Sequence, residues 1–254
     1  MSLEDVNAAR KLSYLSEVAI FQDLSAEQME ALGRAAPMRQ VEAGTTFYRP
    51  EDPTEVVFIL KKGRVKVYQL STDGRALTIH VYEAGSIFGE MPLMGQNMQA
   101  SYAEALTPCT LCVMSRDHVK QLMFGDPRIA MRIAEVLSTR LADIENRLVD
   151  FAFRRVPERV ARMLLQLVQP HRGLLLRSHR MEVRYTHEEL ADMVGTTRET
   201  TTKLLNEMRV RGWVKLERGR ITLLDTNGLQ HVASGEASDL RPSLLKCARI
   251  TGLP

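Results

Sequence analysis

Residues Thr186 to Met208 constrain this chain more than any other stretch. They read Thr-His-Glu-Glu-Leu-Ala-Asp-Met-Val-Gly-Thr-Thr-Arg-Glu-Thr-Thr-Thr-Lys-Leu-Leu-Asn-Glu-Met. Thr186 with Glu189, and Thr196 with Glu199, have the spacing of capping boxes. In such a box the Thr hydroxyl accepts a free backbone N–H and the Glu three residues on reaches back. Leu190, Ala191 and Val194 form one apolar face, and Leu204, Leu205 and Met208 form the next. Ala191 is small enough for a close crossing, and Gly195 takes a positive φ at little cost. The spacing predicts two short helices joined by a tight turn, a helix-turn-helix.

The second of these helices carries unusual chemistry on its other side. Arg198, Glu199, Thr202 and Lys203 project away from Leu204 and Leu205, and Thr196 and Thr197 stand at its start. In a helix-turn-helix those six positions face the DNA major groove. Arg can bond bidentately to a guanine edge, Glu can accept from a cytosine amino group, and a Thr methyl can meet a thymine methyl. The alternative is an αα-hairpin with a solvated charged face. The neighbourhood favours DNA. Trp213 to Glu217, then Arg218-Gly219-Arg220, then Ile221 to Leu224 reads as a β-hairpin with a basic tip, a wing able to touch phosphate.

Upstream the texture is different. The stretch from about Leu12 to Leu32 reads as helical, with a new helix starting at Asp23 to Ser25, where Ser25 and Gln28 have capping-box spacing. After Pro37 come strand-like runs at Met38 to Glu42, Thr45 to Tyr48, Val56 to Leu60, Val65 to Tyr68 and Leu77 to Tyr82. Asp73-Gly74 is a hairpin signal. Short strands with turn signals about every ten residues predict a β-sandwich or barrel-like roll ending near Phe124.

Asp126 as N-cap and Pro127 as first helical residue then open a long helix. Ala130, Ala134, Leu137, Leu141, Ile144, Leu148 and Phe151 recur at spacings of four and three, a heptad seam. A single packed helix buries such a stripe too. Pairing with a second copy fits its narrowness and charged flanks better, and would set two recognition helices about 34 Å apart, one DNA turn. The seam stops near Phe153; Arg154-Arg155-Val156-Pro157 reads as a hinge before a helix bearing Val160, Met163, Leu164 and Leu167. Leu174 to Leu176 and Met181 to Tyr185 read as short strands, Asp225 to Val232 as a closing helix, and Ser243 to Ile250 as a further helix.

This layout resembles the cyclic AMP receptor protein/FNR family of bacterial transcription regulators. Two motifs carry the resemblance, Gly85-Ser-Ile-Phe-Gly89-Glu90-Met-Pro-Leu93 and Gly195-Thr-Thr-Arg198-Glu199-Thr, and it covers about residues 12 to 233. It implies an α+β chain: a double-stranded β-helix (jelly-roll), cyclic-nucleotide-binding-like domain over 12–124, a dimerisation helix over 126–153, a winged helix-turn-helix over 154–234, and a tail over 235–254 with no assigned role. It further implies a homodimer binding double-stranded DNA and an activator contacting RNA polymerase. Arg198 and Glu199 match the family's base-reading pair, which implies a TGTGA-like inverted repeat; Lys203 stands where the cyclic AMP receptor protein has Arg, so one planar fork becomes a point charge.

The effector end departs from the pattern. Gly89-Glu90, the ribose-holding pair, is present, but Gln99 and Ala100 stand where the phosphate-holding Arg and Ser would be. Gln cannot neutralise a phosphate, so a charge-assisted contact worth about 1.5–3 kcal/mol is missing. Ile144-Glu145 replaces the pair that meets the adenine. The expectation is a cyclic nucleotide or other small effector, but not an ordinary cyclic AMP response, or else a turn retained without ligand.

Other chemistries find no support. No cysteine precedes Cys109, so an N-terminal iron–sulfur site of the FNR kind has no ligands. The heme-sensing branch uses a cassette His where this chain reads Phe88-Gly89-Glu90. His80 lies on a strand and reads as structural. Cys109 and Cys112 are three apart on a strand, hence on opposite faces. Three cysteines in all fit a reducing cytosol. His187-Glu188 hints at a zinc helix, yet Ala191 occupies the second ligand position. No nucleophile–base set, metal site, secretion signal or apolar run of ~18–20 residues for a membrane span is visible. Net charge is only +3, so any phosphate contact falls to the Arg- and Lys-rich half from Arg154 to Arg220. The competing reading is a small-molecule sensor acting through a protein partner.

Overall fold

The computed structural model describes residues 18–50, 52, 56–89, 100–168 and 181–236. Glu90, Gln99, Leu174 to Leu176 and Ser243 to Ile250 lie outside them, as does the start of the helical stretch at Leu12. The described residues fall into two compact units, dividing one long helix between Glu145 and Asn146.

The N-terminal unit begins with a 3₁₀ turn at Ala19–Phe21 and helix α1 (Ala26–Ala35). Ser25 and Gln28 close the expected capping box. Eight strands follow: β1 (Met38–Val41), β2 (Thr46–Tyr48), β3 (Val56–Lys62), β4 (Val65–Leu70), β5 (Ala76–Tyr82), β6 (Ile87–Gly89), β7 (Tyr102–Ala105) and β8 (Cys109–Ser115). They form two four-stranded sheets, ordered β1-β8-β3-β6 and β2-β7-β4-β5. β6 and β7 lie outside the strand runs read from the sequence.

In the first sheet β3 is buried on both faces between β8 and β6, which explains its unbroken apolar run, whereas β1 is largely exposed. Phe58, Leu60, Cys109, Leu111 and Phe88 face the second sheet. Val57, Ile59, Cys112, Met114 and Ile87 face helical residues Phe21, Met29, Leu32, Val119, Ile129 and Ile133. Strand alternation thus sends Cys109 and Cys112 into separate clusters.

Helix α2 (Arg116–Gly125) was not foreseen, although Ser115 caps it by accepting from the His118 N–H. Helix α3 (Pro127–Phe153) starts as expected, with Asp126 accepting from the Arg128 N–H at 3.0 Å. The Arg128 guanidinium holds the Asp126 carboxyl well below the usual range, at about 2.

The C-terminal unit contains α4 (Val156–Val168), β9 (Glu182–Val183), α5 (His187–Val194), α6 (Arg198–Val210), β10 (Val214–Glu217), β11 (Arg220–Leu223) and α7 (Thr226–Ala233). Val160, Ala161 and Leu164 of α4, Leu190 and Val194 of α5, Leu204, Leu205 and Met208 of α6, and Leu229 of α7 are all buried. Asp225 caps α7 through the Asn227 and Gly228 amides. The wing hairpin pairs from Val214↔Leu223 to Glu217↔Arg220, and β9 adds a third strand beside β11. Among the described residues no helix is long and apolar enough to cross a membrane.

Candidate nucleic-acid interface

Helix α5 is capped as its sequence demands. The Thr186 hydroxyl accepts from the Glu189 N–H at 3.1 Å, and the Glu189 carboxylate accepts from the Thr186 N–H at 2.6 Å. Gly195 ends the helix at φ 64° and ψ 52°, the left-handed conformation that glycine adopts freely.

The second box does not form. The Thr196 N–H donates back to the Ala191 carbonyl at 3.0 Å, so Thr196 belongs to the end of α5. Thr197 caps α6 instead, its hydroxyl accepting from the Thr200 N–H at 3.2 Å. The left-handed closure after Gly195 consumes one more residue than the sequence pattern allows for. Glu199, no longer part of a box, is exposed beside Arg198.

Thr197, Arg198, Glu199, Thr202 and Lys203 border one shallow open concavity on the outer side of α6. Arg198, Glu199 and Lys203 are exposed; Thr202 is half-buried, its hydroxyl 2.9 Å from His187 Nδ1. Burial, and secondarily the charge on Arg198, lower the His187 pKa. In the sequence this imidazole stands out only as a possible zinc ligand. His187 and Arg198 also line a cleft closed on the far side by Glu217, Arg218 and Arg220 of the wing. There the basic tip is less free than its composition suggests. Arg220 pairs with Glu217 at 2.9 Å and with Glu182 at 3.6 Å, and Lys215 pairs with Glu217 at 2.9 Å. Lys215 first, then Arg220, hold the Glu217 carboxyl below its ordinary range.

The last five seam residues, Leu137 to Phe151, differ in setting. Leu137 is partly buried against the helix-facing cluster of the N-terminal unit. Leu141, Ile144 and Leu148 are 58%, 51% and 67% exposed. Phe151 packs against the helix-turn-helix: its Cε1 would lie 2.6 Å from a Cβ placed on Gly195, and the Arg159 guanidinium sits 5.1 Å from its ring centre.

Of the effector candidates, Gly89 is buried at φ 123° and Ala100 is exposed. Arg140 was not foreseen here. Its guanidinium donates to the Ile87 carbonyl at 2.6 Å and lies 4.9 Å from the Tyr82 ring centre. A separation of 53 residues leaves no local signal for that contact.

A turn-linked helix pair with a charged outer face, beside a three-stranded wing, defines a DNA-binding protein of the winged helix-turn-helix class, here joined to a β-roll. Models of two families match: the cyclic nucleotide-binding domain over residues 38–126, and the Crp-like helix-turn-helix domain over 158–232. A CRP-like cAMP-activated global transcriptional regulator of Mycobacterium tuberculosis is 30% identical over 219 residues, 85% of this chain and 96% of that protein. The transcriptional regulator SdrP of Thermus thermophilus is 31% identical over 71% of this chain and 85% of its own length. The solved c-di-GMP responsive global regulator CLP of Xanthomonas campestris superposes with a TM-score of 0.67 at 25% identity, covering 80% of this chain and 100% of that one. The chain belongs to the Crp/Fnr family of transcription regulators, which are not enzymes.

Proposed function

We propose that this regulator acts as a homodimer that places one α6 in each half of a TGTGA-like inverted repeat and recruits RNA polymerase. The observation that carries this reading is the exposed Arg198-Glu199 pair at the start of a helix whose opposite side is buried. Guanidinium and carboxylate read a guanine and a neighbouring cytosine, and Lys203 adds a point charge. The stripe of Leu141, Ile144 and Leu148 is the apolar surface that a second copy covers. Selection of bound duplexes from a random library tests the reading. Recovery of a two-fold TGTGA-like palindrome is expected; recovery of unrelated or asymmetric sites would reject it.

The effector is a small molecule that does not depend on the Arg–Ser phosphate clamp of the cyclic AMP receptor protein, because Gln99 and Ala100 stand in that place. Titration calorimetry with cyclic AMP, cyclic GMP and cyclic di-GMP separates the options. Tight cyclic AMP binding would overturn the clamp argument.

A further inference from the structure

The last two turns of α3, Asn146–Phe153, belong to the C-terminal unit and are tied to the helix-turn-helix across the interruption between helices at Arg154-Arg155. Three consecutive carbonyls end α5, and guanidinium groups from two other helices take all three. Arg147 of α3 donates to Met193 O at 2.9 Å. Arg159 of α4 donates to Val194 O at 3.0 Å and to Gly195 O at 3.4 Å. Such carbonyls have no partner within their own helix, and cations are favoured at that end. Arg159 is itself stacked on Phe151, whose ring occupies the space beside the Cβ-less Gly195. A second tie spans the same break: buried Asp150 accepts from Arg154 Nε and from Arg162 Nε of α4, both at 2.8 Å.

Neither Arg147 nor Asp150 belongs to the DNA-facing concavity. From their contacts we infer that they are positioning residues which hold α6 in a fixed setting against the end of the seam helix, and so determine which half-site spacing the protein accepts. The inference rests on the inverted-repeat reading above. If the two ties are broken, each helix-turn-helix keeps its own fold and base-reading face but turns about Arg154-Arg155. A second half-site then binds with a lower effective concentration, and the penalty for a wrong spacer shrinks.

The test uses the full-length protein and two sets of duplexes, one with a single half-site and one with two half-sites at a series of spacers. The wild type is expected to prefer one spacer sharply. Arg147→Ala and Asp150→Asn are expected to lose roughly tenfold in affinity at that spacer and to broaden the optimum, with single half-site affinity unchanged. Arg147→Lys, which still offers an N–H to Met193 O, should recover part of the sharpness. An unchanged optimum in the Ala and Asn variants overturns the inference. So does a parallel fall in single- and double-site affinity, which marks simple loss of folding. A wild type indifferent to spacer sinks the inverted-repeat reading itself, and this inference with it.

Discussion

Arg198 and Glu199 present a planar cation and an anion side by side, suited to the guanine acceptors and the cytosine amino group that line the major groove. Replacing Arg198 by Ala is expected to cost roughly 1–3 kcal/mol of binding and to flatten preference at one guanine, read by anisotropy on single-base-substituted sites. The start of the same helix offers a test of local structure. Thr197→Ala removes the acceptor for the Thr200 N–H and should lower stability by about 0.5–2 kcal/mol in denaturant titrations. Thr196→Ala, which removes no cap, should cost less. His187 supplies a pH signature. Its folded-state pKa lies below the unfolded one, so the unfolded chain binds more protons between the two values. The contribution of His187 to stability is complete above about pH 6.5, the unfolded value, and is lost as pH falls toward the folded one. His187→Gln should flatten that decline in thermal melts across pH 5 to 8; an identical pH profile would show that His187 does not titrate there.

Among the elements, α3 changes its surroundings along its length. Ile129 and Ile133 are buried in the N-terminal cluster, whereas Leu141, Ile144 and Leu148 meet solvent in the single chain. An apolar stripe with this spacing is covered most economically by the same stripe of a second copy. Leu148→Glu is expected to convert a dimer to a monomer in sedimentation velocity without lowering the unfolding midpoint of the N-terminal unit. A dimer that survives it would place the interface elsewhere. Phe151, which the heptad pattern assigns to the seam, packs instead against the helix-turn-helix. Its ring fills the space that a Cβ on Gly195 would occupy and lies under the Arg159 guanidinium.

For the molecule as a whole, the low net charge means that DNA attraction comes from a local face rather than a global field. Log affinity for DNA should fall linearly with log salt, with a slope of about −0.9 per phosphate neutralised. A salt-independent affinity in filter binding would favour contact with a protein partner instead. Much of this architecture was legible without coordinates. The capped start of α5, the left-handed Gly195, the Ser25 box and the wing each depend on residues within a few positions of one another, and local sterics and hydrogen bonding settle such features. So does the two-residue period that parts Cys109 from Cys112. The α2 cap at Ser115 is equally local. Tertiary structure alone decided that Arg140 reaches Ile87 and that Arg147 and Arg159 cover the carbonyls closing α5. Those choices depend on where a long flexible cation meets an unsatisfied carbonyl tens of residues away, and no periodicity along a chain encodes that distance.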